Sequence, residues 1–216
     1  MARAYTERVI ERIPLFPLEL VLFPRAPLPL HIFEPRYREM IGRCLSENRE
    51  FGMVCAFPGN GGSMARVGCT ARISAVINLY DDGRLDILTE GVRRFRVRHT
   101  VQEKSYREAD VEWLDEALDA TSLERSRIIE LHNHLLLLAF EEGSAVDLRA
   151  PADNDHLAFA LAHMLPFDLG VKQAVLESSS ERHRLEVLIA AYEQLLARAR
   201  EAVRTVEAEP RSRLVM

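Results

Sequence analysis

The spacing of apolar residues changes near residue 115, and this change limits what the chain can fold into. Before that point the apolar runs are short, often alternate with polar residues and are separated by turn residues, which is typical of β-strands. After it, apolar residues such as Ile128, Leu131 and Leu135 recur at the spacing of an amphipathic helix. The sequence therefore predicts an α+β protein in which a strand-rich part precedes a helical part.

The first part, residues 1–115, is predicted to form a partly closed β-barrel. Its strands are short, and Asp81-Asp82-Gly83 is typical of a hairpin turn. Prolines interrupt the apolar segment 13–35, so we expect edge or irregular strands there. One helix is predicted near 35–48, because Pro35 suits a first helical turn and apolar residues then follow at helical spacing. Several strands joined by turns favour a barrel.

The second part, residues 116–208, is predicted to be a bundle of α-helices. The last helix, from about residue 180 to about residue 206, is long enough to leave apolar surface with which a second copy could pair as a homodimer. Residues 209–216 are predicted to be a frayed tail.

The charge distribution disfavours nucleic acid and membranes as partners. Residues 1–114 hold 17 of the 28 Lys and Arg and 15 of the 33 Asp and Glu, a net charge of +2, which leaves −7 for residues 115–216. Neither value is typical of a strongly basic nucleic-acid-binding domain. An acidic half should avoid anionic membranes, and no apolar run approaches the roughly 20 residues of a membrane span.

The cysteines and the first residues indicate a cytoplasmic protein. Cys44, Cys55 and Cys69 are an odd number, and their spacing matches neither a redox motif nor a zinc motif. Such usage suggests a reducing compartment. The chain begins without the apolar segment of a signal peptide. We therefore expect a cytoplasmic location.

Several motifs, in their order along the chain, resemble the Lon protease N-terminal domain family. The resemblance extends over roughly residues 10–200. The specific signal is the pair Phe33-Glu34-Pro35-Arg36-Tyr37 and Gly91-Val92-Arg93-Arg94-Phe95, in this order along the chain. The segment Leu161-Ala162-His163-Met164-Leu165-Pro166 also fits the family. This resemblance implies a PUA-like barrel followed by a helical bundle. Its implied role is the recognition of substrate polypeptides without catalysis, with unfolded clients or protease components as partners.

The ATPase and peptidase modules of a Lon protease have no counterpart in this sequence. Lys104 and Lys172 are the only lysines, and neither lies in a phosphate-binding loop or beside a serine in a peptidase-like context. The glycine-rich residues 59–63 lack the lysine that a phosphate loop requires. We therefore expect a recognition domain in stand-alone form, without ATPase or peptidase activity.

No pattern of residues predicts a metal, a cofactor or a nucleophile. The seven histidines do not combine with acidic residues at the spacing of a metal site. The cysteines in apolar strands are typical of small buried hydrophobic residues. Two alternatives stay open: a hydrolase or small-molecule-binding enzyme with a cleft at the barrel–bundle junction, and RNA binding by the barrel through the arginines of segment 93–98.

The proline- and phenylalanine-rich segment 13–35 is the candidate polypeptide-binding surface. Its unpaired edges could accept an extended peptide by strand addition. The candidate residues are Pro24, Leu28, His31, Phe33 and Tyr37. We also predict a structural ion pair between Glu34 and Arg94 that ties the barrel to its first helix.

Overall fold

Six strands precede four of the five helices, in agreement with the predicted order. The computed structural model describes residues 10–57, 63–139, 150–151 and 154–208. The predicted glycine loop at 59–63, except Ser63, and the tail at 209–216 lie outside these residues. The elements are β1 (Ile10–Leu18), β2 (Pro27–Ile32), α1 (Pro35–Glu47), β3 (Phe51–Cys55), β4 (Val67–Leu79), β5 (Leu85–Val101), β6 (Arg107–Trp113), α2 (Ser122–Ala139), α3 (Leu157–Met164), α4 (Leu169–Glu177) and α5 (Glu181–Ala208).

The strands form one sheet that closes on itself, which confirms the predicted α+β barrel. The strand order is β2-β5-β4-β3-β1-β6, and a further pairing between β5 and β6 completes a ring of five strands. The 17-residue β5 makes this possible, because its second half pairs with β6 while its first half pairs with β2 and β4. The strand β2 and the outer halves of β4 and β5 thus form a three-stranded extension, the arm (residues 27–33 and 72–90).

Phe95 fills the inside of the barrel. It is fully buried and clusters there with the apolar residues Ile13, Leu15, Val54, Ala109 and Val111. The ring fits because Gly52 and Gly68 face it without side chains. A Cβ atom at Gly68 would lie 2.2 Å from the carbonyl oxygen of Met53 and 2.6 Å from Cζ of Phe95. Glycine is therefore required at position 68 by the packing of this small barrel.

A second, larger core joins the outside of the barrel to the helices. α1 covers one side of it, where the rings of Phe16 and Tyr37 lie 4.1 Å apart between centroids. On another side the ring of Phe23 stacks on Phe159 of α3 at 5.6 Å. The barrel and the helices thus share one continuous apolar interior. Within the described residues, no helix is both long and apolar enough to cross a lipid bilayer.

Two buried arginines hold the sheet and the helices together. Arg94 on β5 is only 1% exposed, and its Nε donates to Oε1 of Glu116 at 2.5 Å. Its Nη1 donates to the carbonyl oxygens of Leu176 and Ser178, each at 2.7 Å. Arg184 of α5 is also buried and contacts the same Glu116 and the same carbonyl of Ser178. Glu116 and a second carboxylate, on α5 itself, thus balance the two positive charges, while the carbonyl oxygens accept further hydrogen bonds.

The predicted ion pair between Glu34 and Arg94 is wrong. Glu34 lies at the surface and pairs with Arg36 at 2.7 Å, whereas Arg94 points from the barrel toward the helices and pairs with Glu116. Side chains alternate along β5, so Arg94 lies on the face opposite to Phe95, and the sequence alone predicts that this face is exposed to solvent. That face of β5 is instead covered by the segment that leads to α5, so the arginine needs a buried partner.

Candidate functional site

The tip of the arm exposes several large apolar side chains. We call this group the tip patch; its members are Phe33, Val76, Ile77, Leu79 and Tyr80. Leu79 is 72% exposed, Ile77 60% and Phe33 58%. Single exposed apolar residues are ordinary on a protein surface, but a group of them on one projecting element indicates a contact surface.

The pairing of the arm strands explains why these residues are apolar and yet exposed. Leu79 and Val76 lie opposite Leu85 and Ile87, two buried residues of the core face. A bulge between Val76 and Asn78 inserts Ile77 into β4. The apolar face with which the arm packs against the core therefore extends past the rest of the protein, and its last side chains are exposed to solvent.

A carboxylate at the centre of the tip holds its aromatic side chains in place. Asp86 accepts hydrogen bonds from Nδ1 of His31 at 2.6 Å, from the hydroxyl of Tyr80 at 2.7 Å and from Nδ2 of Asn78 at 2.8 Å. The His31 ring in turn stacks on Phe33 at 5.9 Å. Three donors favour the charged form, and the bond from His31, followed by that from Tyr80, lowers the pKa of Asp86 to about 2.

Acid should loosen this cluster through Asp86. Since its pKa falls from 3.8 to about 2 on folding, its contribution to stability is complete above pH 3.8 and is lost as the pH falls to about 2. Asp86→Asn lacks this contribution. We expect the gap between the unfolding free energies of wild type and variant to shrink between pH 5 and pH 2 in urea titrations. A gap that stays constant over this range would contradict the assignment.

Only one of the two outer edges of the arm offers a full set of backbone groups. Pro27 and Pro29 have no N–H to donate, so they leave β2 poorly suited to strand addition. The outer edge of β4 from Arg72 to Leu79 has no partner strand among the described residues. An extended peptide would therefore pair with the edge of β4. The edge in the proline-rich segment 13–35, which the sequence predicts as the acceptor, is less suitable.

The structure separates the predicted surface residues. His31 and Phe33 lie at the tip of the arm. Leu28 is half-buried in β2, and Pro24 is half-buried beside α3. Tyr37 is only 7% exposed, because its ring packs into the core under α1. The prediction that Tyr37 belongs to an exposed binding surface is therefore wrong.

The β4 members of the tip patch and Tyr80 were missed by the sequence reasoning. A signal was present, because Val76-Ile77 and Leu79-Tyr80 are apolar on both faces of a strand that ends at the turn 81–83. Residues next to a hairpin turn lie far from the barrel core, and at most one face of the strand can pack against the protein there. Apolar side chains on both faces therefore indicate that some of them are exposed to solvent.

The cluster of arginines on β5 does not form a free basic surface. Arg94 is buried, Arg98 pairs with Glu112, and the guanidinium of Arg93 lies 3.3 Å from the ring centroid of Trp113. Arg93 also approaches Glu11 at 3.7 Å. Most of the positive charge that suggested RNA binding is thus neutralised within the protein.

The described residues hold no cluster placed for metal binding, and their cysteines are buried. Within them, no group of three His, Cys, Asp or Glu side chains is placed to hold a metal ion. Cys44, Cys55 and Cys69 are all buried, and burial raises the pKa of the Cys44 thiol to about 11. Burial also raises the pKa of Cys69 well above its usual range. At neutral pH these side chains are thiols rather than nucleophilic thiolates.

A comparison with protein families identifies this architecture. The model of the ATP-dependent protease La (LON) substrate-binding domain matches residues 12–191. This chain belongs to that family. The match includes the barrel, the arm and most of the helical part, and it agrees with the resemblance seen in the sequence motifs.

Known Lon proteins are similar along almost the whole chain. Lon protease 2 of Myxococcus xanthus is 27% identical over 92% of this chain, which spans 25% of that relative. Lon protease of Escherichia coli K12 is 26% identical over 87% of this chain. The chain thus spans about a quarter of these relatives' length, and the family match is to the substrate-binding domain.

Solved structures of Lon N-terminal domains share the fold. The crystal structure of a Lon N-terminal domain protein from Xanthomonas campestris covers 84% of this chain at 28% identity, with a TM-score of 0.67, and is itself covered to 98%. The N-terminal domain of a Mycobacterium avium complex Lon protease covers 85% at 18% identity, with a TM-score of 0.64, and supports the fold alone.

Proposed function

We propose that this protein is a non-catalytic module that recognises polypeptides and binds apolar segments of unfolded or partner proteins at the tip patch. The observation that carries the proposal is the projection of Phe33, Ile77 and Leu79 into solvent on an arm whose β4 edge is unpaired among the described residues. Membership of a family described as substrate-binding supports it. We propose a cytoplasmic location for this activity.

The tip patch suits a ligand without a fixed shape. Apolar side chains gain stability from any apolar surface that removes them from water, so they do not require one particular sequence. The open β4 edge adds backbone hydrogen bonds, which are also independent of sequence. Aromatic residues held by Asp86 keep the surface in place without loss of side-chain entropy on binding.

Removing one apolar side chain from the tip patch should weaken binding without unfolding the protein. For Leu79→Ser we expect the affinity for a reduced, carboxymethylated unfolded protein to fall by about 10- to 100-fold, because burial of one leucine contributes roughly 1.5–3 kcal/mol. The thermal midpoint should change little, since Leu79 is largely exposed. Fluorescence anisotropy of the labelled unfolded protein measures the affinity.

Leu123→Ser provides a matched control for this experiment. Leu123 on α2 is 78% exposed, similar to Leu79, but it lies outside the arm. Its replacement should leave the affinity unchanged. Equal losses in both variants, or none in either, would show that the tip patch is not the binding surface.

A further inference from the structure

A small pocket lies where the segment 24–27 meets α3. We call it the junction pocket; its volume is about 130 Å³. Clefts that hold drug-sized ligands measure roughly 300–1,000 Å³, so this pocket fits a single side chain or a small group. Its apolar lining comes from Pro24, Pro27, Phe159 and Met164.

The polar residues that line the junction pocket favour a negatively charged group. They are Arg25, Asn154, His156 and His163, and no carboxylate occurs among the described lining residues. This is unusual in context, because residues 115–216 carry a net charge of −7. Burial lowers the pKa of the His163 imidazole, and the positive charge of the nearby Lys172 lowers it further. Among the described lining residues, the pocket thus carries the positive charge of Arg25 and no negative charge.

The guanidinium of Arg25 is available for a ligand. It is exposed and pairs with no carboxylate among the described residues, whereas most arginines of the barrel have a carboxylate partner. Its backbone is held at φ 65°, where glycine is favoured, by a bond from its N–H to the carbonyl of Gly91 at 2.7 Å. An arginine at a strained backbone position beside an apolar pocket points to a functional role for its side chain.

His156 can offer a second donor to the same ligand. Its Nδ1 is buried without a hydrogen-bond partner, and its ring stacks on Phe159 at 5.9 Å. A buried bare nitrogen is less costly than a buried unpaired N–H, so the tautomer that carries its proton on Nε2 is favoured. That N–H is the group which His156 can present to a ligand in the pocket.

We infer that the junction pocket binds the free C-terminal carboxylate of a polypeptide whose last residue has a small or medium apolar side chain. Arg25 pairs with the carboxylate, His156 donates to it, and the terminal side chain lies against Phe159 and the two prolines. The inference rests on the proposed function, because it specifies one class of polypeptide, but it uses a different surface from the tip patch.

The test compares two peptides that differ only at the C-terminus. A fluorescein-labelled octapeptide ending in Ala-Leu is prepared with a free carboxylate and with an amide, and both are titrated with the full chain. We expect the acid to bind at least tenfold more tightly than the amide. Equal affinities, or no binding of either peptide, would overturn the inference. Neither outcome affects the tip patch, which is tested separately with an unfolded protein.

Variants at position 25 separate a ligand role from a structural one. Arg25→Gly should abolish the preference for the acid while keeping or raising the thermal midpoint, because glycine is favoured at this φ. Arg25→Lys should retain part of the preference, and Leu123→Ser all of it. An unchanged preference in Arg25→Gly would contradict the inference.

Competition by N-acetyl-leucine as strong as that of the peptide acid would overturn the assignment to a polypeptide and indicate that the pocket binds small free carboxylates.

Discussion

Replacing Arg94 by methionine is expected to lower the free energy of unfolding by about 3–5 kcal/mol. The variant keeps an apolar side chain of similar length but removes every donor that Arg94 supplies. Glu116 loses one of its two arginine partners, and the carbonyl oxygen of Leu176 loses a bond of 2.7 Å. The carbonyl oxygen of Ser178 loses a bond of the same length and keeps only the bonds from Arg184. Buried acceptors without donors are costly. Urea denaturation measures the change.

Arg36→Met is the control for the Arg94 variant. Arg36 is exposed and pairs with Glu34 at the surface, where an ion pair is worth about 0–1 kcal/mol. We therefore expect its replacement to have little effect on stability. Similar losses for Arg36→Met and Arg94→Met would show that the buried network does not hold the barrel to the helices.

Adding one methyl group inside the barrel should lower the free energy of unfolding nearly as much as the replacement of Arg94. For Gly68→Ala we expect a loss of about 3 kcal/mol, since the new Cβ would lie 2.2 Å from the backbone oxygen of Met53 and 2.6 Å from Phe95. The backbone oxygen cannot move without disturbing the pairing of β3 with β4. The midpoint of urea unfolding measures the loss.

A glycine-to-alanine substitution in α1 should raise the stability instead of lowering it. Gly42 lies inside the helix Pro35–Glu47, and a Cβ atom added there would meet no neighbouring atom within 4 Å. Gly42→Ala should therefore stabilise the protein by up to about 1 kcal/mol through helix propensity. A stable Gly68→Ala protein would contradict the account of the barrel interior.

Local sequence patterns were sufficient to predict most of the fold. The change of period near residue 115 predicted strands before helices, and Pro35 with its following apolar residues predicted α1 (Pro35–Glu47). The way in which the predicted barrel closes could not be read from local patterns. It depends on the pairing of both halves of β5 with different strands, which is a contact between distant parts of the chain.

The candidate site was harder to predict, because exposure depends on what covers each face. Phe33 and His31 were predicted at a surface and lie on one, while Tyr37 is covered by the core beneath α1. Arg94 was predicted to pair with Glu34, but the segment before α5 covers it and its carboxylate partner is Glu116. The residues that cover Tyr37 and Arg94 are distant from them in the sequence, so periodicity alone could not predict that these two side chains are buried.

Hydrogen–deuterium exchange on the full chain, with and without a saturating unfolded protein, tests the central claim most directly. Exchange reports which backbone amides a ligand protects. The proposed function predicts new protection in residues 72–80, where the β4 edge would pair with the bound segment, and none in the exposed face of α2. Protection confined to the helices, with residues 72–80 unchanged, would contradict the claim that the arm recognises polypeptides.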